Sequence, residues 1–226
     1  MIGDPAKLVI RRLGARFDQA TAVPFAARSA SFLVDAMEGR GALDARIKPI
    51  DPKSRFTGSA LTARAGPRDN LAALAALDLI APGDVLVIAA QGFTGTSVLG
   101  DNMARIAKQR GAVAVVTDGA VRDIDEIRAI GLPVFAAGVT PNSAFPSGPG
   151  EVGLPLALGD VAIDSGDLMV GDADGVVVVP KDRIDAIAAR LDEVARLEAA
   201  LQAKIESGDF ETLLSAELQQ SIRYVD

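Results

Sequence analysis

The sequence predicts an open α/β fold built on parallel strands, and three observations point there. Short apolar runs rich in β-branched residues, at 84–90, 112–117 and 133–139, have the length and make-up of buried strands. Segments of helical character lie between them. Glycines or a proline–glycine turn close those segments. Strands that alternate with helices in this way form a parallel sheet, because each helix carries the chain back across it.

In chain order, PFAARSASFLVDAME (24–38) reads as a helix stopped by Gly39 and Gly41. The run 56–65 is β-branched and alternating, hence a strand. Residues 70–80 are amphipathic and helical, and Pro82 and Gly83 close them. After the strand 84–90, the glycine-rich loop QGFTGTSVLG opens into a helix from 101 to 110, ended by Gly111. The strand 112–117 follows, then DGAVRD, the short helix IDEIRAI ending at Gly131, and the strand 133–139. Proline, glycine and serine dominate 141–153. The stretch 167–180 reads as a β-hairpin turning at Asp174 and Gly175. A long charged helix then runs from 181 to 206, ahead of a short C-terminal segment. No clean boundary divides the chain, so a single domain over 1–226 is expected, with the late hairpin extending its core.

Composition narrows the chemistry. With no cysteine, disulfides, thiolate nucleophiles and zinc–thiolate sites are excluded. With no histidine, the commonest general base and the commonest transition-metal ligand are missing as well. Any metal would be held by oxygen ligands, which favours hard ions such as magnesium or manganese. A net charge of −7 opposes a phosphate-backbone binder, so no nucleic-acid partner is expected. No apolar run reaches the roughly 18–20 residues of a membrane span. The N-terminus shows no basic region followed by an apolar core. A soluble, cytoplasmic protein without a membrane partner is the expectation.

Several motifs have plain readings. GPGEVG (148–153) is spelled like a dinucleotide fingerprint, but Pro155 follows and no helix opens, so it reads as a loop. DADG (172–175) starts like a calcium loop yet lacks the later acidic ligand, and reads as a turn. Lys181, just after VVVVP, comes nearest to the apolar setting of a Schiff-base lysine; the preferred reading is a surface residue at a helix start.

Two strand-to-helix junctions carry more. In LGDNM, Gly100 and Asp101 begin a helix whose first amides, around Asn102 and Met103, would lack intrahelical acceptors and suit a carboxylate. In DGAVRD, the adjacent Arg122 and Asp123 can work on one ligand only if the backbone turns there, since neighbours on a strand face opposite ways. The plainer alternatives are that Asp101 and Asp123 cap their helices, Asp123 with Glu126 as a capping-box variant, and that Arg122 is solvated. Both junctions, however, fall at the carboxyl ends of consecutive predicted strands, where open α/β sheets gather ligands. Together they supply two carboxylates, a bidentate anion donor and a helix N-terminus.

At these residues the chain resembles a known family. GDNM, GAVAVVTDGAVRD and GLPVFAAG, with GALDARIKPI, PRDN (67–70), PGDVLV and GDADGVVVVP, are similar to the RraA-like proteins over about residues 25–180. That family includes 4-hydroxy-4-methyl-2-oxoglutarate aldolases, related oxaloacetate decarboxylases and the regulator of ribonuclease E activity. The resemblance implies a layered α/β/β sandwich with a C-terminal helix, assembled as a homotrimer or homohexamer with sites near subunit interfaces. It implies a divalent-metal-dependent lyase, with magnesium or manganese as cofactor, that releases pyruvate from a 4-hydroxy-2-oxo acid and decarboxylates oxaloacetate. Carried over residue by residue, it gives Arg122 the pyruvyl carboxylate, Asp123 the metal directly, and Asp101 the metal through water, as acid and base. Gly100 and the amides of Asn102 and Met103 would help to seat the pyruvyl group. A carboxylate of a neighbouring subunit completes the site in some members, and Glu193 and Glu198 are the candidates here. The rival implication is a non-catalytic, protein-binding regulator of ribonuclease E; such regulators typically lack the acidic residue that this chain has as Asp101. A methyltransferase reading finds no strand–loop–helix unit suited to S-adenosylmethionine.

Overall fold

The computed structural model describes residues 6–14, 16–208 and 214–225. It begins with β1 (Leu8–Ile10), α1 (Gln19–Ala26), α2 (Ala30–Ala36) and β2 (Lys48–Pro49). The centre is β3 (Phe56–Arg64), α3 (Leu71–Leu77), β4 (Asp84–Ala89), β5 (Ser97–Leu99), α4 (Asp101–Gln109), β6 (Ala114–Val121), α5 (Ile124–Ile130) and β7 (Val134–Val139). Three short strands follow: β8 (Gly150–Val152), β9 (Leu156–Leu158) and β10 (Val161–Ile163). The chain closes with the hairpin β11 (Leu168–Asp172) and β12 (Gly175–Val179), α6 (Ile184–Ser207) and α7 (Ala216–Gln220).

The parallel core is as expected. Strands β3, β4, β6 and β7 lie side by side in parallel, and β5 adds to β6 near its carboxyl end. The strands β1, β8 and β2 extend the edges, and β11 joins β3 antiparallel. On one face, α3, α4 and α5 cover Leu61, Leu86, Ile88 and Val115, with Ala72, Ala73 and Ala76 letting α3 sit close. The opposite face meets β9, β10 and the hairpin through Phe56, Val87, Phe135, Met169, Val176 and Val178. The hairpin's other face, Leu168, Val170, Val177 and Val179, packs on α1, α2 and α6. A strand covered on both faces is apolar throughout, which explains the run VVVV. The result is the layered mixed α/β fold, with the C-terminal helix on the outside.

Five expectations need correction. The helix expected at 24–38 is two helices, because Ser29 in extended backbone (φ −75°, ψ 159°) interrupts it and caps α2 by accepting from Phe32 N–H. The strand expected to end at 117 runs on to Val121. The glycine-rich loop contains β5, and the 141–153 region contains β8, a strand where GPGEVG reads as a loop; it pairs with β1 and β3. The hairpin pairs Asp172 with Gly175, so its turn residues are Ala173 and Asp174. Lys181 keeps its surface reading: its ammonium is half-exposed and bonds the Asp164 carboxylate at 2.7 Å. Among the described residues no helix is long and apolar enough to cross a membrane.

Candidate active site

Because β6 continues to Val121, Arg122 and Asp123 leave the sheet at its carboxyl end, beside the β5–α4 junction. The Arg122 N–H donates to Leu99 O at 3.1 Å, extending the β5–β6 ladder by one step. Asp123 then adopts left-handed backbone (φ 57°, ψ 45°). Non-glycine residues held there cost roughly 1–3 kcal/mol and concentrate at functional sites. Its side chain does not cap α5. Oδ2 instead accepts from Arg122 Nε at 3.2 Å and from the Asp101 N–H at 3.4 Å. The capping-box alternative is therefore wrong, for a physical reason: the left-handed turn takes the carboxylate off its own helix and onto the start of α4.

At that start, Gly100 is the N-cap and Asp101 the first helical residue. The first intrahelical bond runs from Ala104 N–H to Gly100 O at 3.1 Å, leaving the amides of Asn102 and Met103 without acceptors among the described residues. The Asp101 side chain makes no cap bond either; its nearest cation is Arg105, 3.9 Å away. Gly100 is glycine for want of room. A Cβ there would lie 2.6 Å from Asp123 Oδ2 and 3.0 Å from Arg122 Nε.

Arg122 is held at two of its nitrogens: Nε donates to Asp123, and Nη1 donates to the Ser143 hydroxyl. Ser143 comes from a distant strap zipped onto β5, with Ser97 N–H donating to Asn142 O at 2.8 Å and Ala144 N–H to Ser97 O at 3.3 Å. Nη2 has no acceptor among the described residues, so the outer edge of the fork stays open. It faces a cleft of about 110 Å³ whose lining includes Asn70, Gly100, Asp101, Asn102, Met103, Arg122 and Ser143. Sites for drug-sized ligands run to roughly 300–1,000 Å³, so this one suits a small acid or one end of a larger one. Asp123 reaches it through Arg122 and the Asp101 amide.

Two further carboxylates shape the surroundings. Asp118 accepts from the N–H groups of Ala90 and Gly92, fixing the start of the glycine-rich loop. Asp69 accepts from the Ser147 N–H and hydroxyl and from the N–H groups of Gly148 and Leu71. Burial pushes the Asp69 carboxyl up, but those hydrogen bonds together outweigh it and hold the group below the usual carboxylate range.

The donors fit a hard divalent ion. Asp101 and Asp123 offer only oxygen, and Asp123 Oδ1 carries no donor among the described residues. Among those residues no cluster of three or more metal-binding side chains forms. An ion of the magnesium type commonly takes one or two carboxylates and fills its other positions with water or substrate. Glu193 and Glu198 lie on α6, and neither lines the cleft.

A family model for RraA-like proteins, described as Aldolase/RraA, matches residues 30–178. The chain belongs to the RraA-like family. A Halalkalibacterium halodurans relative, provisionally named a 4-hydroxy-4-methyl-2-oxoglutarate aldolase, is 41% identical over 147 residues, covering 65% of this chain and 70% of its own. A Thermus thermophilus protein named 4-hydroxy-4-methyl-2-oxoglutarate aldolase is 34% identical over 140 residues, 62% of this chain and 85% of its own. The solved structure of Streptomyces coelicolor RraAS2, described as an unusual member of the RNase ES inhibitor RraA protein family, superposes with a TM-score of 0.73 at 30% identity, covering 84% of this chain and all of that one.

In this RraA-like chain, the structure brings together the residues expected from the two junctions: Gly100, Asp101, Asn102, Met103, Arg122 and Asp123. It adds Ser143, which local sequence does not signal because it arrives by long-range pairing, and Asn70, which PRDN (67–70) marks without assigning it a role.

Proposed function

We propose that this chain is a divalent-metal-dependent lyase that cleaves a 4-hydroxy-2-oxo acid of the 4-hydroxy-4-methyl-2-oxoglutarate type to pyruvate, and decarboxylates oxaloacetate at the same site. The observation that carries the reading is the left-handed turn at Asp123, which frees its carboxylate from helix capping and sets it against Arg122 and the first turn of α4. Relatives named as 4-hydroxy-4-methyl-2-oxoglutarate aldolases support an aldolase-type activity.

In this reading the open edge of the Arg122 fork takes two oxygens of the substrate carboxylate, a geometry that lysine does not reproduce. The Asn102 and Met103 amides, at the positive end of α4, share that negative charge. Magnesium or manganese would be held by Asp123 directly and by Asp101 through water, and when bound supplies Lewis-acid polarisation of the 2-oxo group. Asp101 moves the protons. It receives the 4-hydroxyl proton, by way of a water, as the C3–C4 bond breaks and the C4 carbonyl forms. The electron pair passes into the pyruvate enolate, and a proton returned to C3 completes pyruvate. Oxaloacetate reaches the same enolate by losing carbon dioxide, with no hydroxyl proton to remove.

The RNase ES inhibitor family of the Streptomyces structure supports a second reading, a non-catalytic regulator that binds a ribonuclease E scaffold. Asp101 in the cleft separates the two, since binding a protein does not call for it. The test is pyruvate release from 4-hydroxy-4-methyl-2-oxoglutarate and from oxaloacetate, with magnesium or EDTA, beside a pull-down on a scaffold fragment. Saturable, EDTA-sensitive release that falls by about 100-fold or more in Asp123→Asn is expected. Full metal-dependent turnover in Asp123→Asn overturns the site assignment, and scaffold capture without turnover favours the regulator.

A further inference from the structure

Arg122 accounts for one carboxylate, but an acid of the 4-hydroxy-4-methyl-2-oxoglutarate type has a second, on C4. Another arginine, Arg68, lies on a segment that reaches the cleft at Asn70. Arg68, like Asp123, has left-handed backbone (φ 62°), a conformation that L-residues rarely hold without a reason. Its carbonyl accepts from Phe145 N–H at 3.1 Å, and the next residue, Asp69, forms a parallel bridge with Phe145. Asp69 in turn is fixed by its bonds to Ser147, Gly148 and Leu71. The backbone at Arg68 is therefore held from both sides.

Arg68 does not itself line the cleft, but the backbone on either side of it leads there. Two residues on, Asn70 lines the cleft; Ala144, which precedes the Phe145 that bonds Arg68, lines it too. The Arg68 guanidinium carbon lies 5.6 Å from the centroid of Phe93, in the glycine-rich loop that leads to Ser97 on the same cleft. A cation–π contact of this kind ties up none of the guanidinium in a bond to a carboxylate. Arg68 has no carboxylate partner among the described residues. A pre-positioned cation of this kind, in a chain of net charge −7, is suited to an anion brought by a ligand.

We propose that Arg68 binds the distal carboxylate of a dicarboxylic 4-hydroxy-2-oxo acid and so sets a preference for dicarboxylic over monocarboxylic substrates. This rests on the lyase reading above. Arg122 anchors the pyruvyl end, which every substrate shares, and Arg68 reads the end that differs.

The test compares kcat/KM of the full-length, magnesium-supplied protein on 4-hydroxy-4-methyl-2-oxoglutarate and on 4-hydroxy-4-methyl-2-oxopentanoate, in which a methyl group replaces the distal carboxylate. Arg68→Gly is the informative variant, because glycine keeps the left-handed backbone without strain while removing the side chain. The wild-type protein is expected to prefer the dicarboxylate. Arg68→Gly should reduce that preference about tenfold, mainly through KM for the dicarboxylate, with the same mass by light scattering. An unchanged preference in Arg68→Gly overturns the proposal, as does a change in assembly mass, which would make Arg68 an interface residue. A wild-type protein that releases pyruvate from neither acid sinks the lyase reading and this role with it; wild-type turnover with an unchanged ratio sinks only the role of Arg68.

Discussion

Gly100 shows how a site is decided at single residues. Its backbone (φ −125°, ψ −173°) is one that any residue adopts, yet a Cβ would sit 2.6 Å from Asp123 Oδ2. Gly100→Ala should therefore displace the Asp123 and Arg122 side chains and leave the fold alone. We expect pyruvate release to fall about 100-fold, as for an ångström-scale misplacement of reacting groups, with a thermal midpoint near that of the wild type. Steady-state kinetics beside a melt would show it; normal kinetics would mean that the two side chains relax without loss. At this scale the sequence was readable up to a point. Asp101, Arg122 and Asp123 could be found because strand ends and helix starts were marked by composition. What Asp123 does could not, because a capping aspartate followed by Glu126 is spelled the same way; only the sign of its φ distinguishes the two. Ser143 left no local trace, and PRDN (67–70) marked Arg68 only as part of a resemblance, without a role, since distant backbone pairing brings both segments to the cleft.

Among the elements, carboxylates fasten the loops that frame the cleft. Asp69 joins the start of α3 to the 145–148 segment, and its hydrogen bonds hold its ionisation below the ordinary range despite burial. A depressed folded-state value means that the contribution is fully present above the unfolded value, about 3.9, and is lost as pH falls through the lower folded value. Asp69→Asn should lower stability at neutral pH and flatten the acid side of the stability curve. Urea denaturation between pH 7 and pH 3 measures this, and parallel curves for variant and wild type would refute it. The expected elements that proved inexact share a cause. Ser29 inside an apolar periodic run is a helix start that periodicity smooths over. DG at 118–119 looks like a turn, but both residues stay in β6, and 119 is glycine because a Cβ there would lie 2.8 Å from the Cβ of Ala90. β8 exists only through its pairing with β1 and β3, which no local pattern encodes.

For the molecule as a whole, layering was legible and its fastenings were not. Alternating strands and helices announced the parallel core, and the unbroken VVVV run is what a strand buried on both faces requires. Beside the β1–β8 ladder, one tie between the N-terminal arm and that core is an ion pair: Arg16 Nε and Nη2 donate to Asp84 at 2.9 and 2.7 Å, and the Asp84 side chain is wholly buried. Asp84 also accepts from Ala81 N–H. Arg16→Ala would leave a buried carboxylate without its cation, a change that costs about 3 kcal/mol. A matching drop in the denaturant midpoint, with pyruvate release per folded molecule unaltered, is the expected result. A midpoint within experimental error of the wild type would show that this ion pair contributes little.

The division of labour along the chain has a consequence for how such a protein can diverge. Residues 97–123 carry Gly100, both aspartates, the free amides and Arg122 as one block whose two strands pair with each other. The strap at 142–144 and the turn at 67–70 are contributed from elsewhere. On the proposed lyase reading, bond-breaking is carried by a single continuous stretch, while recognition of the rest of the substrate falls to segments that can drift on their own. On that reading, a lineage built on this plan changes its substrate by editing the rim and leaves the 97–123 block untouched.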